Sequence, residues 1–373
     1  MKIPSQKPTI SRKNFLKKTG AFLAGFPIVA NTGFPAIILA NRKEKLGVAL
    51  VGLGYYSRDL LAPALQLTKF CELKGIVTGT PSKIPLWQQQ YGIEDRNVYT
   101  YETMHEISNN DDIDVIYMVT PSGLHAKYAI RAAEAGKHVW CEKPMEISVH
   151  RCQSIIEAAN KNKVQLTIGY RMQHEPNTQN IITYAKEKPF GTITEVVAEA
   201  GFKAYHDHQN WRTETKLGGG ATFDMGVYCI NAARYSTGEE PISVIAQNIT
   251  TQPEVYHSVD EEMHFELFFP SGTIAKCKTS FARGMNTLKI NCENGNYGLR
   301  PFQSYSGVQG EDSNGTKFQP FQGNQQVKQM DDNAFAILHN KTPIVSGEEG
   351  LRDVRICEAI FESASKSGER VQI

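Results

Sequence analysis

The sequence predicts an α/β protein in two parts: a doubly wound parallel-sheet domain over residues 45–170 and an α+β domain over 171–345 with a large, mostly antiparallel sheet. Three observations carry this. Short apolar runs alternate with stretches of helical spacing from Lys45 to Tyr170, the pattern of βαβ units. From Thr192 to Cys292 strand-like runs follow one another with turn signals such as Pro270-Ser271-Gly272 and few helices between. Within the first part, a short apolar strand, His138 to Cys141, ends on Glu142-Lys143-Pro144, where proline forbids further ladder pairing. In an open parallel sheet the carboxyl ends of the strands form the ligand crevice, so Lys143 is expected to stand over whatever binds there.

The first strand, Lys45 to Val51, runs into Gly52-Leu53-Gly54-Tyr55-Tyr56-Ser57, which opens a helix continued by Leu60, Leu61 and Leu65. The first two glycines allow a tight turn and the close approach of a pyrophosphate to the helix N-terminus, so these six residues are expected to hold a dinucleotide in a Rossmann-type domain. Ser57 stands where a third small residue packs helix against strand. The second strand, Leu73 to Val77, ends in Thr78-Gly79-Thr80 with Lys83 close behind, and no acid lies between Glu72 and Glu94. A carboxylate at this place would bind a ribose 2′-hydroxyl; Thr78 and Lys83 suit a 2′-phosphate instead, so NADP(H) is preferred and NAD(H) second. A third strand, Asp114 to Val119, ends in Thr120-Pro121-Ser122-Gly123-Leu124-His125, with Pro121 turning the chain at the crevice. Thr120, Pro121, Ser122, Glu142 and Lys143 join the expected cofactor-binding set. His125 is expected either to touch the nicotinamide ribose or to cap the helix of Ala126 to Ala135. An amphipathic helix over Val149 to Lys161 and a strand over Val164 to Tyr170, ending at Arg171, complete the domain.

In the second part, strands are expected over 192–200, 242–249, 263–269, 273–280 and 287–292. One face of the sheet is left to meet a second copy, so a homo-oligomer through this sheet is expected. Gly218-Gly219-Gly220 precedes a helix from Ala221 to Tyr235, on which Asp224 and Tyr228 are four apart and share a face. Residues 300–325, rich in Gly, Gln, Ser and Asn, read as an irregular loop, and 346–373 as a C-terminal helix (spacing over Gly350 to Ser365) that packs back on the first domain. A tyrosine and a lysine converging on a nicotinamide make a proton-transfer pair, in which the charge of Lys143 favours loss of the phenolic proton. For Asp224 and Tyr228 the plain alternative is a helix-face hydrogen bond with no chemistry.

Residues 1–40 read as an export signal. They hold no acid; Lys2, Lys7, Arg12, Lys13, Lys17 and Lys18 precede an apolar stretch from Ala21 to Ala40. Ser11-Arg12-Lys13-Asn14-Phe15-Leu16-Lys17 resembles a twin-arginine signal, with Lys13 where the second arginine is expected. Gly25, Pro27, Asn31, Gly33 and Pro35 make the stretch a poor membrane anchor, so cleavage after about Ala30 or Ala40 and a periplasmic or otherwise exported protein are expected, without stable membrane insertion. Removal of residues 1–40 takes away six of the 40 basic residues and none of the 39 acids, so the formal charge goes from +1 to −5. Such a chain lacks the basic footprint for nucleic acid. The seven cysteines are scattered, without Cys-x-x-Cys, which argues against a disulfide framework or a zinc site. His206-x-His208, with no acid pair near it, is not read as a metal site.

On the glycine turn, the Thr120 to His125 loop, Glu142-Lys143-Pro144, and Asp224 with Tyr228, the chain from about Lys45 onward resembles the glucose–fructose oxidoreductase and inositol dehydrogenase (Gfo/Idh/MocA) family. Most members carry histidine where Tyr228 stands. Tyrosine there resembles the exported glucose–fructose oxidoreductase branch, as do Thr78 to Lys83, Tyr101, Arg171, Trp211-Arg212 and Gly347-Glu348-Glu349-Gly350. The resemblance implies Lys143, Asp224 and Tyr228 as catalytic, and Tyr101, Arg171, Trp211 and Arg212 as cofactor contacts. Two departures stand out. That branch has a proline-rich arm that wraps a neighbouring subunit, for which only Asn41 to Glu44 are left here; and the segment Phe202 to Asn210 differs in character. The implied activity is hydride transfer between the anomeric carbon of an aldose and a tightly bound NADP(H), with a second sugar as acceptor. The alternatives are a redox-assisted glycosidase of the same fold and a non-enzymatic NADP-binding sensor or scaffold.

Overall fold

The structure, a computed structural model, describes residues 43–205 and 210–373. The proposed export signal and His206-x-His208 therefore lie outside the described residues. Two sheets organise the chain. The first contains β1 (Leu46–Val51), β2 (Cys71–Val77), β3 (Val98–Tyr99), β4 (Val115–Met118), β5 (His138–Cys141) and β6 (Leu166–Ile168), in the order β3-β2-β1-β4-β5-β6 and parallel throughout. Its central strands β1 and β4 are buried along their whole length, because helices cover both faces; that is why they read as unbroken apolar runs. A residue such as Ile116 on β4 is fully enclosed, and its truncation to alanine costs about 2–5 kcal/mol.

The helices of this layer follow the strands. A π-helical turn, Ser57–Leu61, continues as Ala62–Leu65 to make α1. Next come α2 (Ile84–Tyr91), α3 (His125–Glu134) and α4 (Val149–Lys161). Ser148 caps α4, its hydroxyl accepting from the Arg151 N–H at 3.4 Å. The strand order reverses between β1, which continues to β2, and β4, which continues to β5, so the crevice for a ligand lies outside their carboxyl ends.

After α5 (Pro176–Glu187) the chain builds β7 (Ile193–Gly201), then a helix α6, formed by a π turn at Thr222–Gly226 and an α-helix at Val227–Thr237. There follow β8 (Ser243–Ile249), β9 (Glu262–Phe268), β10 (Ile274–Ser280), β11 (Met285–Cys292), β12 (Gly295–Leu299), β13 (Gly310–Asp312) and β14 (Lys317–Phe318). Helices α7 (Gln325–Leu338) and α8 (Gly347–Ser365) and a short β15 (Val371–Gln372) complete the described elements. The second sheet runs β14-β13-β12-β11-β7-β10-β9-β8-β15. Along β7 burial alternates: Val196, Ala198 and Ala200 face α6, while Glu195, Val197 and Glu199 lie on the open face. There Lys276 and Lys278 pair with Glu195 and Glu199 at 2.7 and 3.3 Å.

The second sheet is mostly antiparallel, as expected, with one parallel pairing, β7 with β10, at its centre. Two expectations need correction. The region read as an irregular loop contains β13 and β14, and α5 and α7 stand where no helix was expected. The last long helix begins a turn earlier than its spacing suggested, at Gly347, and touches both layers. A Cβ on Gly347 or Gly350 would come within 2.5 Å of Leu166 or 2.8 Å of Ile168, so these glycines let α8 lie directly on β6. On its other side Arg234 of α6 reaches Glu349 at 2.9 Å and Asp353 at 2.6 Å. The seven cysteines are all free thiols.

Candidate active site

Each part of the crevice follows from local chain geometry. Gly52 has φ +91°, and a Cβ there would stand 2.9 Å from the Val119 carbonyl, so only glycine makes the turn. The Ser57 hydroxyl donates to the Gly52 carbonyl at 2.5 Å and closes the turn from below. Nothing lies within 4 Å of where a Gly54 Cβ would be. An open cradle at a helix start, beside a buried Thr120 hydroxyl with no protein partner, fits a dinucleotide pyrophosphate and its flanking ribose. Leu53, Tyr55 and Tyr56 line the same turn, with Tyr55 largely exposed.

At the end of β2 the Thr78 hydroxyl accepts from the Thr80 N–H at 3.1 Å. Lys83 is placed differently from expectation: its ammonium donates to the Leu53 carbonyl at 2.8 Å and so braces the glycine turn. Tyr101 packs its ring over Gly79 and stacks on Tyr128 with centroids 4.8 Å apart. Pro121 and Ser122 turn the chain out of the crevice into α3. His125 cannot touch a ribose, which corrects that expectation. It is 1% exposed, and its two ring nitrogens lie 2.8 Å from the Thr120 carbonyl and 3.0 Å from that of Pro144. It ties the β4 and β5 loops together, and burial pushes its imidazole below the usual pKa.

Across the crevice, Lys143 donates to the Asp224 carbonyl at 2.6 Å and to its Oδ1 at 3.3 Å, and lies over the Tyr228 ring, 4.7 Å from the centroid. Arg212 holds the other carboxylate oxygen at 2.8 Å through Nε, while its guanidinium stacks on Trp211. Burial works against ionisation of Asp224, but the charges of Arg212 and Lys143 outweigh it and hold the carboxyl at about 2. Burial likewise opposes the charge on Lys143, and its neighbours Tyr228, Asp224 and Glu142 outweigh it, so the ammonium is held more firmly than usual. Glu142, raised by burial, accepts from the Tyr117 hydroxyl at 2.7 Å, which in turn accepts from Gln329 of α7 at 2.9 Å. The sequence-predicted trio of Lys143, Asp224 and Tyr228 is thus assembled.

Arg171 is the other departure. At 2% exposure it donates to the carbonyls of Ser304 (2.9 Å) and Gln303 and to Gln325 Oε1, so it braces the site wall instead of offering a free guanidinium to a cofactor. Its guanidinium also faces the rings of Tyr305, at 4.5 Å, and Tyr228, at 5.7 Å. Tyr305, Gln329 and the Arg212–Asp224 pair were missed in the sequence, where nothing in spacing marks them. Among the described residues no group of three or more His, Cys, Asp or Glu side chains is placed to hold a metal ion.

A glycine cradle at the strand-order reversal, facing a lysine–aspartate–tyrosine group across one crevice, defines a nicotinamide-dependent oxidoreductase. Residues 46–170 match the oxidoreductase family with NAD-binding Rossmann fold and residues 179–297 match the GFO/IDH/MocA C-terminal domain; the chain belongs to this family. It is similar to an NADP-dependent D-xylose 1-dehydrogenase of Haloarcula marismortui, 28% identical over 85% of this chain and 90% of that one. A second such enzyme, from Haloferax volcanii, is 25% identical over 88% of this chain and 98% of its own. Among solved structures, the aldose–aldose oxidoreductase of Caulobacter crescentus superimposes with a TM-score of 0.84 and 36% identity, covering 88% of this chain and all of that one.

Proposed function

We propose that the protein oxidises an aldose at its anomeric carbon with tightly held NADP(H), and that a second sugar carbonyl takes the electrons back. The observation that carries this is the Lys143–Asp224–Tyr228 group, set across the crevice from the glycine cradle. NADP, when bound in the glycine cradle, would supply the hydride acceptor. Tyr228, acting as its phenolate, would take the proton of the anomeric hydroxyl while the hydride of the anomeric C–H passes to the nicotinamide, so the aldose becomes a lactone and the tyrosine a neutral phenol. Lys143, kept protonated by Asp224, offers positive charge where negative charge develops. Asp224, locked by Arg212, fixes the position of that ammonium.

Similarity to xylose dehydrogenases and to an aldose–aldose oxidoreductase supports an aldose substrate and the coupled reaction. The resemblance of Tyr228 to the tyrosine of the exported glucose–fructose oxidoreductase branch also supports such coupling. The lack of a carboxylate after β2 supports NADP over NAD. The acid-free leader supports export, and the open face of the second sheet supports a homo-oligomer. The test is mass spectrometry of any dinucleotide released from the purified protein, followed by a sugar panel read at the reduced-nicotinamide absorbance band. Bound NADP reduced by one aldose and reoxidised by another, without added cofactor, is the expected result. Cleavage of glycosides would favour the redox-assisted glycosidase, and binding without any sugar-dependent change would favour a sensor.

A further inference from the structure

Tyr305 lies on the segment between β12 and β13, far in sequence from the glycine turn, yet its ring meets that of Tyr56 with centroids 6.0 Å apart. Tyr56 belongs to the cradle of the first layer and Tyr305 to the second, so the contact crosses the mouth of the crevice. The Tyr305 segment is fastened from inside. Arg171, at the end of β6, donates to the Ser304 carbonyl at 2.9 Å and to that of Gln303, and packs its guanidinium 4.5 Å from the Tyr305 ring. Gln325, the first residue of α7, shares the same guanidinium. With 43% exposure, Tyr305 forms the outer wall of the site.

We propose that Tyr56 and Tyr305 form an aromatic clasp that retains the dinucleotide, with Arg171 as the positioning residue that holds the clasp shut. This rests on the function proposed above. A dinucleotide held in the glycine cradle and reaching toward Lys143 and Tyr228 would pass this contact on leaving, so the two rings would have to part. Its energy comes from ring contact, so planar apolar area matters and the phenolic hydroxyl of Tyr305 does not.

The test uses the full chain loaded with NADPH and freed of excess ligand. Release is followed by the fluorescence of bound NADPH after mixing with glutathione reductase and oxidised glutathione, which consume the nucleotide as it escapes. Tyr305→Ala is expected to speed release by roughly two- to tenfold, the equivalent of one aromatic pair. Tyr305→Phe is expected to match the parent, and Tyr305→Leu to fall between. The thermal midpoint of each variant without nucleotide shows whether the fold is kept. Unchanged release in Tyr305→Ala, or equal acceleration in the Phe and Ala variants, overturns the clasp. A parent protein that binds neither NADPH nor NADH overturns the proposed function itself, and the clasp with it.

Discussion

Arg212 and Asp224 form a 2.8 Å ion pair across the chain reversal that contains Gly218, Gly219 and Gly220. The pair leaves the second carboxylate oxygen of Asp224, and its main-chain carbonyl, to Lys143. The charge of Lys143 is therefore set partly by an arginine that does not touch it. Arg212→Met should raise the Asp224 pKa by about 1–3 units, the usual effect of one adjacent charge. The acid limb of the kcat/KM profile should move up with it, and an unmoved limb would show that Lys143 alone holds the carboxylate ionised.

Lys143→Met should lower turnover by about 10² or more, as expected for loss of a positioned acid–base group. Equilibrium binding of NADPH, read by fluorescence, should largely survive. Tyr228→Phe should do the same, because the ring and its contact with the ammonium stay while the proton acceptor goes. Near-normal rates in either variant would remove that residue from the mechanism.

Asp224 also links the site to acid stability. Its carboxyl is held at about 2 against an ordinary aspartate value of 3.8, so its folded pKa is depressed. The stabilisation is fully present above about pH 4, amounts to about 2 kcal/mol there, and is lost as pH falls through about 2. Asp224→Asn should therefore be less stable than the parent in urea at pH 7, with a gap that narrows as pH is lowered from about 4. A gap that is constant with pH would mean that packing, and not charge, is what the substitution damages.

Lys83→Ala separates two roles. If its ammonium faces a 2′-phosphate as well as the Leu53 carbonyl, NADPH binding should weaken by about 1–3 kcal/mol and NADH binding by much less. Equal losses measured by titration calorimetry would assign Lys83 to the glycine turn alone.

Gly52→Ala places a Cβ 2.9 Å from the Val119 carbonyl at a φ of +91°. It should destabilise the fold by about 1–3 kcal/mol and weaken NADPH and NADH alike. Gly54→Ala meets no protein atom and should leave the thermal midpoint unchanged while weakening both nucleotides. A Gly54 variant that binds both normally would place the pyrophosphate elsewhere.

The parallel layer was legible because a strand buried on both faces is written as an uninterrupted apolar run, as in Val115 to Met118. The Lys143, Asp224 and Tyr228 group was legible for a different reason: residue types with chemical use sit where the chain turns. Helix α7 was hidden because much of the side it buries is polar. Gln325, Gln326, Gln329 and Asn333 are enclosed beside Met330 and Ala334, so buried amides obscure its apolar stripe. The parallel pairing of β7 with β10 was hidden too, since alternation of period two is the same whichever way a strand runs. Lys83, His125 and Arg171 were recognised as important by position, but each is held by main-chain carbonyls, which carry no sequence signature.

Helix α8 lies against β6 through Gly347 and Gly350 and is fastened to α6 through Arg234, so it belongs to neither layer alone. It is also synthesised after every strand of the parallel sheet and after all strands of the mixed sheet but β15. A nascent chain that has made β1 to β14 still lacks the helix that joins the two sheets, and the apolar surfaces it covers wait for it. The joint between the two layers is thus among the last parts of the chain to be made.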